Sequence, residues 1–125
     1  MNEIELTKAI DNFAPKIIEK VNNFVKAFEK DIKNNGKRQF IELVEAAAHA
    51  CCVDEFKLYI AYKGSKSGTE KLWTRAVVNL FNKTIDDLCK DIADQIKKDN
   101  ELVRLAVIQR FCGYLMWRTS AIIGG

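Results

Sequence analysis

The sequence has few of the residues and patterns on which membrane, metal-binding and catalytic proteins depend. Its 125 residues include one proline and one histidine, and no apolar run reaches the roughly 18 residues needed to span a bilayer. One histidine is too few for the two Glu-x-x-His pairs of a di-iron bundle. The acidic amino terminus, Met-Asn-Glu-Ile-Glu, lacks the basic and apolar regions of a secretory signal. We therefore expect a cytoplasmic protein without membrane association.

Cysteine usage also indicates a reduced, non-catalytic protein. The four cysteines are Cys51, Cys52, Cys89 and Cys112. They lack Cys-x-x-Cys spacing, and the adjacent pair could form a disulfide only with strain. A zinc site of His49 with the last three of these lacks the short paired spacings of structural zinc modules. His49 could act as a base oriented by Glu45, but neither neighbouring cysteine lies in a nucleophile motif. We predict no metal, no cofactor and no enzymatic activity.

The residues that are abundant predict a helical protein. Apolar residues make up 48% and charged residues 30% of the chain, which is ordinary for a soluble globular domain. Apolar positions recur at three- and four-residue intervals almost throughout, and Pro15 suits the first turn of a helix. We predict one all-α domain over residues 1–125, folded as a compact bundle of four to five helices.

Capping and turn-forming residues predict the boundaries of these helices. Asn34-Asn35-Gly36 favours a helix end, and Trp73 is expected within the buried stripe of a long fourth helix. The predicted elements are a short turn at 4–11, a helix at about 13–34, a helix from about Lys37, a kink followed by a helix Glu55 to Lys63 capped by Asp54, an exposed loop Gly64 to Gly68, a helix Glu70 to about Lys98 capped by Thr69, and a helix Glu101 to about Ile122 capped by Asn100.

Charge is distributed unevenly, although the net charge is only +3. Residues 1–62 carry nine Lys and Arg against ten Asp and Glu, whereas residues 63–125 carry eleven against seven. In this second half, an acidic segment at 86–101 lies between two basic zones. The zones are Lys63, Lys66, Lys71 and Arg75 on one side, and Arg104, Arg110 and Arg118 on the other. The loop at 64–68 lacks P-loop order, so it is either a solvated turn or a flexible basic finger against a phosphate backbone.

The last predicted helix carries the clearest functional pattern. Arg110, Tyr114 and Arg118 are four residues apart and therefore form one stripe. Guanidinium groups with an aromatic ring between them suit phosphate contacts and base stacking. The stripe therefore predicts a nucleic-acid-binding face, internal ion pairs with the acids of 86–101, or a protein interface. Gly113 is costly inside a helix, and we expect it to permit close packing against a bulky residue such as Trp73.

Segments spread over roughly residues 40 to 120 combine aromatic, Gly-Tyr-Leu and arginine positions. They are Phe56-Lys57-Leu58-Tyr59-Ile60-Ala61-Tyr62-Lys63, then Trp73, then Gln109-Arg110-Phe111-Cys112-Gly113-Tyr114-Leu115 with Arg118. This combination resembles the helical small subunits of CRISPR effector complexes, especially those of type III. The resemblance implies a non-catalytic bundle stacked in several copies along a complex, with basic faces against the guide and target strands.

Carried onto this chain, the resemblance implies a set of nucleic-acid contacts and partners. The candidate contacts are Lys63, Lys66, Lys71, Arg75, Arg110 and Arg118, with Tyr114 in the same stripe. The implied partners are effector subunits, guide RNA, target nucleic acid and other copies of the chain. Because a net charge of +3 is low for a nucleic-acid binder, we expect weak affinity for free RNA that assembly increases. The alternative is a small helical adaptor or inhibitor, such as a phage-encoded antagonist, that docks on an acidic protein.

Overall fold

A computed structural model describes residues 2–35, 38–65 and 72–124, and all regular structure in these ranges is helical. The prediction of an all-α fold is therefore confirmed. Within these ranges the seven helices are α1 (Glu3–Asp11), α2 (Ala14–Ala27), α3 (Glu29–Asn35), α4 (Arg38–His49), α5 (Val53–Ser65), α6 (Arg75–Ile96) and α7 (Glu101–Ile123). Seven exceeds the predicted four to five because the expected first turn is a complete helix and the expected helix at 13–34 is divided in two.

A capping box explains the first difference, and a local break in the backbone at Phe28 accounts for the second. Asn2 and Glu5 form a reciprocal capping box, in which the Glu5 amide donates to Asn2 Oδ1 at 2.8 Å and the Asn2 amide donates to Glu5 Oε1 at 3.2 Å. Two amide donors that the helix cannot satisfy are thereby paired, so α1 forms. Pro15 lies in the first turn of α2, as predicted. Phe28, at φ −127° and ψ 27°, leaves the helical conformation and separates α2 from α3.

The centre of the chain departs most from the predicted boundaries. Residues 50–52 form a three-residue bend between α4 and α5. Helix α5 then continues through Ser65, so Gly64 is helical and the predicted loop does not begin there. Helix α6 begins at Arg75, capped by Thr74, whose Oγ1 accepts from the Val77 amide at 3.3 Å. The predicted cap Thr69 and the start at Glu70 lie outside the described residues.

Helix α7 is the centre of the bundle and contacts each of the other six helices. Asn100 caps it as predicted, because its Oδ1 accepts from the Val103 amide at 2.9 Å. The middle of the core is the fully buried Phe81 of α6. The ring centroid of Phe81 lies 5.5 to 6.2 Å from those of four aromatic neighbours: Phe24, Phe56, Trp73 and Phe111. Trp73 is buried as expected, but it precedes α6 instead of lying within it.

Candidate nucleic-acid interface

Lys63 is not presented to solvent. Its side chain is only 4% exposed, and its Nζ lies 3.3 Å from Oε2 of Glu42 on α4. Arg38 also pairs with Glu42, at 3.3 Å. Because burying an ammonium group without a partner is very costly, this carboxylate explains how α5 turns a lysine inward. Lys63 was expected to contact a phosphate backbone, but in this fold its ammonium group is buried against Glu42 instead.

Arg110 and Tyr114 do share a stripe, as predicted, and they contact each other. The Arg110 guanidinium donates from Nη1 to the Tyr114 hydroxyl at 3.3 Å and pairs through Nη2 with Asp11 Oδ1 at 2.8 Å. Burial alone lowers the pKa of Arg110, but these hydrogen bonds outweigh it and raise the pKa overall. Asp11 thus neutralises Arg110, which makes the arginine a poor phosphate contact.

The acidic segment at 86–101 is partly neutralised by other cations. Arg104 donates to Asp99 through Nε at 2.6 Å and Nη2 at 2.9 Å, a bidentate pair that lowers the pKa of Asp99. The remaining ion pairs of this segment that the structure describes are Lys16 with Asp91, Lys57 with Asp86 and Lys83 with Asp87. Of the three arginines in α7, Arg104 alone pairs with this acidic segment in the described ranges.

Arg75 and Arg118 are both exposed, and neither has an ion-pair partner within the described part of the chain. The contact between Phe81 and Phe111, and the bond from Cys89 Sγ to the Arg104 carbonyl, show that α6 and α7 are antiparallel. Arg75 precedes Phe81 by six residues and Arg118 follows Phe111 by seven, about 9 and 10 Å along the helices. The two arginines therefore lie toward the same end of the bundle.

The remaining predicted contacts, Lys66 and Lys71, lie outside the described residues. They belong to the connection between Ser65, the last residue of α5, and Leu72, just before α6.

Lys30 of α3, which was not predicted, is exposed and lacks an ion pair among the residues described. Helix α3 packs against α7. We define the basic end of the bundle as Arg75 and Arg118, the two arginines placed there by helix register.

Trp117 is a candidate binding residue that the sequence analysis missed. It is 68% exposed, lies next to Arg118 in the chain, and its ring centroid is 6.0 Å from that of Tyr114. The exposed indole ring offers a flat apolar face on which a planar ligand can stack. The sequence could have indicated Trp117, because it lies seven residues after Arg110 and therefore on the same face of the helix.

Gly113 does not pack against a bulky neighbour, so the prediction of close contact with Trp73 is wrong. A Cβ added at Gly113 would meet no atom within 4 Å outside its local helix surroundings. The glycine instead lines an open cleft of about 340 Å³ between α1 and α7, together with Arg110, Tyr114 and Trp117. We call this space the Trp117 cleft. Gly64 has the close approach, because a Cβ there would lie 3.0 Å from Val78 Cγ2.

A second, larger groove of about 630 Å³ lies between α1, the bend after α4 and the start of α7. Its titratable lining residues are Glu3, Cys51 and Lys98. Among the described residues, no group of three or more His, Cys, Asp and Glu side chains is arranged to hold a metal. Cys89 and Cys112 are buried, and burial raises the pKa of the Cys89 thiol to about 12. Such thiols are poor nucleophiles and poor metal ligands at neutral pH.

No family model, curated protein or solved structure matches this chain. Six of the residues that carry the resemblance to CRISPR small subunits are apolar core residues: Phe56, Ile60, Trp73, Phe111, Cys112 and Leu115 are all at most 2% exposed. Leu58 and Tyr62 are exposed, at 71% and 55%. No helix in the described ranges is long and apolar enough to cross a membrane.

Proposed function

We propose that this protein is a non-catalytic small subunit of an RNA-guided CRISPR effector complex, and that it supports the bound strands through sequence-independent phosphate contacts. The observation that carries this proposal is the basic end of the bundle. Arg75 and Arg118, 43 positions apart in sequence, are exposed at the same end with no ion-pair partner in the described chain. Exposed guanidinium groups are well suited to phosphate oxygens.

The position of Arg75 supports a role outside the fold. It is the first residue of α6, where the helix macrodipole favours an acidic side chain and disfavours a cation. The first turn of α6 contains no acid that would offset this charge. Arg75 therefore contributes little to folding stability, and a phosphate bound at this end would compensate its unfavourable position.

The basic end is tested by exchanging its charge. In an Arg75→Glu and Arg118→Glu double variant we expect weaker binding of single-stranded RNA and a salt dependence shallower by about 1.4, or about 0.7 for each lost phosphate contact. Binding is measured by fluorescence anisotropy between about 50 and 200 mM salt. A Lys97→Glu and Lys98→Glu variant makes the same charge change at the opposite end of α6 and serves as the control.

Two results contradict the proposal. One is equal loss of affinity in both double variants, which would indicate attraction by net charge alone. The other is an unchanged salt slope in the Arg75 and Arg118 variant. Circular dichroism of each variant establishes that the helical fold is intact before binding is compared.

The alternative function is an adaptor or inhibitor that docks on an acidic partner protein. The same exposed arginines favour it, because carboxylates and phosphates both accept bidentate bonds from guanidinium. Affinity capture of the tagged chain with and without ribonuclease separates the two. Partners lost after ribonuclease treatment indicate an RNA-bridged subunit, and a partner that is retained indicates direct protein binding.

A further inference from the structure

The Trp117 cleft has the dimensions of a small-molecule site and is bordered by a helix face that carries a glycine near its middle. Its volume of about 340 Å³ lies at the lower end of the range for ligand pockets, roughly 300 to 1,000 Å³. Ala106, Arg110, Gly113 and Trp117 follow one another at three- and four-residue intervals, so they share one face of α7. The missing side chain of Gly113 leaves the space beside Trp117 open.

The polar groups of the cleft favour an uncharged, planar ligand with hydrogen-bonding edges. Arg110 is neutralised by Asp11, so the cleft carries no free positive charge with which to bind a phosphate. The guanidinium has five N–H donors, and two of its nitrogens are engaged by Asp11 and the Tyr114 hydroxyl. The Tyr114 hydroxyl accepts the arginine bond and keeps its own proton to donate. The α7 wall of the cleft thus combines hydrogen-bond donors with the exposed indole ring.

We propose that the Trp117 cleft binds one base of a single-stranded nucleic acid, stacked on the Trp117 ring above Gly113 and hydrogen-bonded by Arg110 and Tyr114. The proposal rests on the proposed function and adds a base contact to its phosphate contacts. Arg118 follows Trp117 directly and is exposed.

The volume and polarity of the cleft favour a base over an apolar protein segment. An apolar helix face laid into this cleft would leave the remaining Arg110 N–H groups and the Tyr114 hydroxyl proton without acceptors. Aromatic rings accept any base, because every base has a π face, and such stacking is typical of sequence-independent binding to single strands.

The two tryptophans provide a direct optical test, because their exposure differs so strongly. Trp73 is 2% exposed and Trp117 is 68% exposed. We expect an adenylate oligonucleotide of about a dozen nucleotides to quench the emission of Trp117 and to protect it from acrylamide. An abasic oligonucleotide of equal length and charge should bind more weakly and cause no quenching. The variant Trp117→Phe identifies the signal, since it leaves only the buried Trp73.

Filling the cleft tests the site without unfolding the protein. Gly113→Leu adds a side chain into open space and replaces a poor helix former, so we expect the fold to be retained. Affinity for the adenylate strand should fall between about fivefold and about 150-fold, the loss of one stacked base, while affinity for the abasic strand stays unchanged. Ala61→Leu, at an exposed position of α5, is the matched control.

The outcomes separate this inference from the proposed function. Equal affinity for the two strands, without quenching, overturns the base site and leaves the phosphate contacts of the basic end standing. No binding of either strand at low salt overturns both. If Gly113→Leu instead abolishes capture of a ribonuclease-resistant protein partner and leaves adenylate binding intact, the cleft is a protein-docking site and the base assignment is wrong.

Discussion

Helix α5 carries Lys63 and Gly64 near its carboxyl end, and the second half of α7 carries Gly113 and Arg118. In α5 both positions contact a neighbouring helix: Lys63 pairs with Glu42 of α4, and a Cβ at Gly64 would lie 3.0 Å from Val78 Cγ2 of α6. In α7 both face outward, because Gly113 opens onto the cleft and Arg118 is exposed. The same residue types therefore contribute to packing in one helix and to a candidate binding surface in the other.

The largest difference in the free energy of unfolding is expected between charge-reversed variants of Lys63 and Arg118. Lys63→Glu places a carboxylate in a site that is nearly fully buried, beside Glu42, and should lower the free energy of unfolding by about 3 kcal/mol or more. Arg118→Glu should change it by no more than about 0.5 kcal/mol. Urea denaturation at neutral pH measures both. Similar stability of the two variants would mean that Lys63 is accessible to water in solution.

The second-largest difference in the free energy of unfolding is expected between phenylalanine variants of the two tryptophans. Trp73→Phe removes the bond from Nε1 to Gln39 Oε1, which spans 3.3 Å, and leaves a small cavity beside Phe81. We expect a loss of about 1 to 3 kcal/mol. Trp117→Phe removes exposed surface only and should leave the unfolding midpoint within experimental error. A large loss in Trp117→Phe would show that this ring is part of the core.

Alanine variants of the two glycines should differ in their free energy of unfolding by about 1 kcal/mol. Gly113→Ala should stabilise the protein by about that amount, because alanine is the better helix former and its Cβ meets open space. Gly64→Ala should stabilise less, or destabilise, because its Cβ would lie 3.0 Å from the stiff side chain of Val78. Thermal unfolding of the two alanine variants side by side tests this. Equal gains would contradict the assigned packing of Gly64.

The smallest expected effect concerns the ion pair of Arg104 with Asp99. Arg104 lowers the pKa of Asp99, so the pair stabilises the fold above the unfolded carboxyl pKa of about 4. This contribution should disappear as pH falls through the lower folded pKa. Asp99→Asn should therefore be less stable than the parent chain at pH 7, and the difference should shrink in acid. Asp94→Asn, at an exposed position without an ion pair in the described residues, should show no such pH dependence.

Local sequence signals determined the helical class and the last helix. Apolar spacing defines a helix face, and Asn100 caps α7 through its own side chain, so both follow from neighbours within a few residues. The capping box of Asn2 with Glu5 was equally local and could have predicted α1. The break at Phe28 could not be predicted, because no turn-forming residue marks it.

Tertiary structure alone decided which cations remain available for a ligand. Spacing places Arg110 and Arg118 on one stripe, but Asp11, almost a hundred residues earlier in the chain, neutralises only the first. Likewise, Lys63 is buried because α4 brings Glu42 beside it. The period of a helix fixes the direction of a side chain relative to its own axis. The charges and cavities it meets depend on which distant helices pack there, and a local pattern contains no information on that packing.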